Sequence, residues 1–271
     1  MGFFKLFSRK KTTQGCVIVA GSAIGNLSQA LSALLSERGL VLYQANHVAN
    51  ASLIQRVNSS DLSKHPSSPV QSVPIISNFE LNLGDPAAVK QLFKSMRKAG
   101  LHLELLIVQP EGLVTTSQPD ANERWQQSGL MIIQLAQLAI RHMLPRQQGS
   151  LIFLGTAPAT ITASDQLVKR DASNGNNDPN DDFSDELVLQ DRLLAYDAIQ
   201  AQLIENAIQA GIRALSQSLA REFQRKGIHI SYLALKQTAT QDASSAPALA
   251  TLCWHIYRQS PDAWSQELSS V

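Results

Sequence analysis

The segment Ala20-Gly21-Ser22-Ala23-Ile24-Gly25-Asn26-Leu27 holds two glycines at GxxxG spacing between an apolar run, Cys16 to Ala20, and a stretch with Leu27, Ala30, Leu31, Leu34 and Leu35 at helical spacing. Glycine lets the backbone turn sharply and approach a ligand closely, while the first turn of a helix offers free N–H groups and the positive end of its dipole. A pyrophosphate suits such a turn, and the end of a first strand in an α/β chain is the context the motif requires. The same glycines also serve a chain that only has to turn from strand into helix, so the motif by itself leaves both readings open.

Other residue types that do chemistry are scattered. His47, His65, His102, His142, His229 and His255 form no HxH or HxxxH pair, so no metal site is expected. Asp178, Asn180 and Asp182 have the alternation of a calcium loop, but Phe183 stands where the turn glycine belongs and Leu189 where the bidentate glutamate belongs. Ser150 lacks the G-x-S-x-G elbow of a hydrolase nucleophile. Cys16 and Cys253, the two cysteines, are far apart in apolar runs, which points to a reducing compartment and a cytoplasmic location.

The elements that must position the glycine turn follow from apolar periodicity. Strands are expected at Cys16 to Ala20, Leu40 to Tyr43, around Ile75 and Ile76, at LELLIVQ, at SLIFLG and at Ile228 to Leu235. Helices are expected between them, at DPAAVKQLFKSMRKAG with its Asp start and Gly stop, at about 122–143, 187–226 and 247–258. Strand and helix in alternation predict a doubly wound parallel sheet of the Rossmann type with helices on both faces, in one domain over residues 15–271. Two polar stretches near 58–72 and 160–186 read as surface loops, and residues 1–14 as a basic, aromatic tail.

Composition narrows the function classes. With 44% apolar and 17% charged residues among 271, the chain is an ordinary globular protein. A formal net charge of +1 is too small for the basic face that nucleic acid demands. No apolar run reaches membrane-spanning length. The tail, with Phe3, Phe4, Leu6 and Phe7 among Lys5, Arg9, Lys10 and Lys11, has a composition suited to peripheral contact with an anionic membrane, against the plainer reading of a frayed terminus.

From about Gly15 to Arg258 the chain resembles the short-chain dehydrogenase/reductases. AGSAIGNL is similar to their GxxxGxG phosphate loop, with Leu27 at the third glycine, so that this side chain either narrows the site or turns into the core. The resemblance implies NAD or NADP as cofactor, held by Gly21, Ser22, Ile24, Gly25, Asn46 after the second strand, Asn82 in the adenine-contacting segment ELNLGDPAAV, and Gly112 in IVQPEG, which stands at the NNAG turn.

AGIRALSQSLAREFQRKGIHIS, residues 210–231, resembles the family's long helix and following strand without a gap, and so sets the register. In that register the tyrosine and lysine of YxxxK fall on Glu205 and Gln209, the serine on Thr156 and the helix asparagine on Ser128. The family's phenol needs a nearby ammonium to lower its pKa, and Gln209 has no charge to offer. Tyr196 precedes Glu205 by nine residues, about 13 Å along a helix, so it could replace the acid/base only from a distorted helix start, against the plainer reading of a packing or surface residue.

Three readings follow: a catalytically impaired or non-catalytic relative that keeps nucleotide binding, a carbonyl or alcohol oxidoreductase with atypical acid/base residues, and an interaction subunit without nucleotide. The family's oligomer interfaces use the helices at about 122–143 and 187–226, which implies a homo-oligomer or pairing with an active relative.

Overall fold

The computed structural model describes residues 14–21, 24–36, 38–47, 76–81, 83, 85–110, 129–156, 184–235 and 243–269. Its elements run β1 (Gln14–Gly21), α1 (Gly25–Ser36), β2 (Val41–His47), β3 (Ile76–Leu81), α2 (Pro86–Lys98), β4 (Leu101–Val108), α3 (Met131–Met143), β5 (Gly149–Thr156), α4 (Ser184–Phe223), β6 (Ile228–Leu235), α5 (Ala246–Tyr257) and β7 (Glu267–Ser269). The strands form one seven-stranded sheet in the order β3-β2-β1-β4-β5-β6-β7, parallel at every ladder. This is the doubly wound Rossmann-type α/β architecture that the alternation predicts.

Each central strand is buried on both faces, which is why its sequence is a continuous apolar run. Cys16, Ile18 and Ala20 of β1 pack with Val89, Leu92, Phe93 and Met96 of α2, Leu135 and Ala139 of α3, and Ile208 and Ile212 of α4. Val17 and Val19 point the other way, into a second core with Leu27, Leu31 and Leu35 of α1 and Leu249, Cys253 and Ile256 of α5. Period-2 alternation in β1 thus joins the two helical layers through one strand.

The β1–β4 ladder contains one irregularity. Cys16 pairs with Leu103 and Val17 with Leu105, leaving Glu104 as an extra residue on β4. This bulge inverts the phase of the strand: Leu103 lies in the core of α2, α3 and α4, whereas Leu105, two residues on, lies in that of α1 and α5.

Several boundaries differ from the sequence-based expectation. Gln14, assigned to the tail, is the first residue of β1. Ser184, Asp185 and Glu186, assigned to the second polar stretch, already belong to α4. β2 continues through Gln44, Asn46 and His47, since its ladders to β1 and β3 use backbone groups and tolerate polar side chains. β3 reaches Leu81. β7 has no apolar run to announce it: its Glu267 carboxylate binds Arg213 at 2.6 Å and Gln217 at 3.0 Å, both on α4. The tail, the 58–72 stretch and 122–128 of the expected third helix lie outside the described residues.

Candidate functional site

β1 and β4 are neighbours at the centre of the sheet, where the strand order reverses direction, and ligands of open α/β sheets bind at the carboxyl ends of such strands. Gly21 closes β1 there, with φ +153°, and Gln109 follows β4 with its N–H on the Ala20 carbonyl at 2.9 Å. A Cβ on Gly21 would sit 2.9 Å from the Gln109 carbonyl oxygen and 3.1 Å from Ile24 Cγ2, so only glycine fits. Gly25, the first residue of α1, is different: a Cβ there would meet none of the described residues within 4 Å. One glycine is required by packing, and the other stands at a helix N-terminus.

Leu27 settles which way its side chain turns. It is buried in one core with Val17, Val19 and Ile24, turned away from the α1 N-terminus. Ile24 is wholly buried in the same core. Asn46 pairs with Gly21 across the β1–β2 ladder, which brings its backbone to the same edge. Ser22, Asn82, Gly112 and Ser128 lie outside the described residues.

Thr156 ends β5 at this same edge, and α4 brings Glu205 and Gln209 beside it. The Thr156 N–H donates to Gln209 Oε1 at 3.2 Å, and Gln209 Nε2 donates to Glu205 Oε1 at 2.7 Å. The amide orientation follows from its neighbours, since a backbone N–H can only donate and the amide nitrogen must then face the carboxylate. Both side chains are buried, Glu205 at 7% and Gln209 at 6% exposure.

A further member of this cluster carries no signal in the sequence. Tyr232 of β6 sends its hydroxyl to 3.5 Å from Gln209 Oε1, at the long limit of a hydrogen bond. It passes over Gly155, where a Cβ would lie 2.0 Å from the phenol oxygen. Burial pushes the Tyr232 pKa above its ordinary value, and the carboxylates of Glu267 and Glu205 act in the same direction against Arg213. Only the β5–β6 register, with Phe153 opposite Tyr232, shows that Gly155 and Tyr232 must be read together. Tyr196 lies in the same continuous helix nine residues before Glu205, about 13 Å along its axis.

The cluster therefore holds a carboxylate, a neutral amide, a hydroxyl-bearing strand end and a buried phenol with a raised pKa. Among the described residues it holds no ammonium that would lower the pKa of a phenol for proton transfer at neutral pH.

No family model matches the chain, and no curated protein sequence does. Solved structures match over nearly its whole length. A short-chain dehydrogenase from Rhodopseudomonas palustris is 17% identical with a TM-score of 0.58, over 94% of this chain and 98% of that one. YwfH, an NADPH-dependent reductase involved in bacilysin biosynthesis, is 14% identical with a TM-score of 0.59, over 95% and 98%. A short-chain oxidoreductase from Brucella ovis, in complex with a partially ordered NAD, is 14% identical with a TM-score of 0.55, over 95% and 100%. The chain has the fold of the short-chain dehydrogenase/reductases.

Proposed function

We propose that this chain is a short-chain dehydrogenase/reductase relative that binds NAD or NADP but is catalytically impaired or non-catalytic, a pseudoenzyme on an oxidoreductase scaffold. The observation that carries the reading is Gln209. Its amide, at the position of the family's lysine, spends both ends on protein, one on the Thr156 N–H and one on Glu205. A group tied in this way holds α4 to β5 and supplies neither a charge nor a mobile proton. Nucleotide binding is supported separately by the lack of any described residue within 4 Å of a Cβ at Gly25 and by the turn of Leu27 into the core. When bound, the dinucleotide would bring hydride-transfer chemistry to this edge, and Gly21, Gly25, Asn46 and Thr156 would face it.

The proposed setting is cytoplasmic, supported by Cys16 and Cys253 as buried thiols in opposite cores, where they cannot pair. The proposed partner is a second copy or an active relative, docked on α3 and α4. Leu130, at the start of α3, and Leu203 on α4 are the large apolar residues most exposed among those described, at 42% and 52%.

Calorimetric titration of the full chain with NADH and NADPH tests the nucleotide reading. Saturable binding that is lost in Gly25→Ala, a substitution the fold has room for, is expected. No binding at millimolar cofactor overturns it. Turnover of a carbonyl panel that vanishes in Glu205→Gln would instead make Glu205 an acid/base group and overturn the loss of catalysis.

A further inference from the structure

The opposite edge of the sheet, where the strands begin, lies one strand length from the glycine loop, roughly 25 Å away. A cleft of about 570 Å³ opens there, within the size range of small-molecule sites. Its lining includes Glu104, Arg38, Arg258, Trp254, Trp264 and Tyr257.

Glu104 is the bulged residue of β4, and the fold makes several accommodations to hold it. Its Oε1 lies 2.8 Å from His102 Nε2, and its Oε2 accepts a hydrogen bond from the Tyr257 hydroxyl. Gly15 on β1 leaves the space its carboxylate fills, since a Cβ there would lie 2.3 Å from Oε1. The carboxylate is largely sheltered, at 19% exposure, so an ion paired with it is poorly screened. A carboxylate has about four acceptor sites, and these two contacts leave capacity for a further donor.

The rim carries the opposite charge. Arg38 follows α1 and Arg258 follows α5, and neither forms an ion pair among the described residues. Arg258 lies over the Trp254 ring at 6.0 Å, and Tyr257 packs against that ring at 5.3 Å. Trp264 is fixed by its indole N–H on the Gln259 carbonyl at 3.0 Å and by stacking on His229 at 5.0 Å. The cleft thus combines a sheltered anion at its floor, two guanidiniums at its rim and rigid aromatic walls.

We propose that this cleft is a second ligand site, independent of the dinucleotide edge, that takes a small zwitterion with an apolar body, of the size of an α-amino acid or dipeptide. The ammonium would bind Glu104, the carboxylate Arg38 and Arg258, and the apolar body the face of the tryptophans. A carboxylate without an amine would leave the Glu104 anion opposed to it. An amine without a carboxylate would face two uncompensated guanidiniums. The zwitterion alone answers both charges.

Two of the chain's three tryptophans line the cleft, so tryptophan emission of the full chain reports occupancy. Titration with L-phenylalanine is expected to give a saturable change with a Kd on the order of 1 mM or tighter. N-acetyl-L-phenylalanine, which lacks the ammonium, and L-phenylalaninamide, which lacks the carboxylate, are each expected to bind about tenfold more weakly, the loss of one hydrogen bond to a charged group.

Glu104→Gln, nearly isosteric, should remove the preference for the amine while retaining that for the carboxylate. Arg258→Ala, at the rim, should do the reverse, and it decides the matter alone if Glu104→Gln does not fold by circular dichroism. No saturable change at millimolar phenylalanine overturns the proposal. So does equal binding of the three compounds, or a preference for the carboxylate that survives in Arg258→Ala.

Discussion

Gln209 joins two elements through one amide, so its removal tests what this buried cluster does. Gln209→Ala takes a partner from the half-buried Thr156 N–H and from the buried Glu205 together. A neutral hydrogen bond is worth about 0.5–1.5 kcal/mol and one to a charged group about 1.5–3 kcal/mol, so a loss of about 2–4 kcal/mol is expected in urea denaturation. A change below about 0.5 kcal/mol would mean the cluster is not a structural clamp.

His229 gives the pH dependence. Burial, opposed in part by the hydrogen bond to the Ser265 carbonyl, holds its pKa below the ordinary 6.5. The unfolded chain takes a proton near 6.5 while the folded chain refuses it until lower pH. Stability from the neutral ring is therefore present above about pH 6.5 and lost as pH falls through the folded value. His142 is shifted the same way, by burial and by Arg97. Urea midpoints should fall between pH 7.5 and pH 5.5, and fall less in His229→Asn. An equal fall in both proteins would assign the effect elsewhere.

At the scale of elements, α2 shows how local sequence alone places a helix. Asp85 caps it with extended backbone and accepts the Ala87 N–H at 2.8 Å, Pro86 occupies the first turn, and Arg97 and Lys98 close it. Asp85→Ala should cost about 1 kcal/mol, read as a shift in thermal midpoint, and Asp85→Ser should recover most of it. α4 is the contrasting case. Its length of 40 residues carries it past the sheet it covers, and its position is set by what it ties: Gln209 to β5, and Arg213 and Gln217 to Glu267 of β7.

For the whole molecule, the sheet divides the chain into two cores, with α1 and α5 over one face and α2, α3 and α4 over the other. The second layer carries the exposed Leu203. If α3 and α4 form an interface between copies, sedimentation of the full chain should give a dimer or larger species, and Leu203→Glu should lower the mass by desolvating a charge in that interface. A wild-type monomer at tens of micromolar defeats self-association. The two edges of the same sheet then have separate roles: glycines and helix N-termini at the carboxyl ends of the strands, and a charged aromatic cleft where the strands begin.

The sequence by itself determined what depends on neighbours along the chain. Apolar runs gave the strands, leucine spacing gave α1, the Asp-Pro start gave α2, and two glycines after β1 gave the turn, because propensity, capping and periodicity are local. The register set by the ungapped 210–231 stretch also carried Glu205 and Gln209 to the side of Thr156. Only the tertiary structure decided the rest.

Leu27 could turn either way until the α1–β1 core claimed it. Tyr232 meets Gly155 and Gln209 through a ladder between strands some 80 residues apart in sequence. Glu104 looks like one polar residue in an apolar strand until the bulge aims it at Tyr257. β7, three residues long, exists because β6 offers it an edge and α4 offers its Glu267 an arginine. Each of these depends on groups that the chain brings together only by closing long loops, and no local pattern records such meetings.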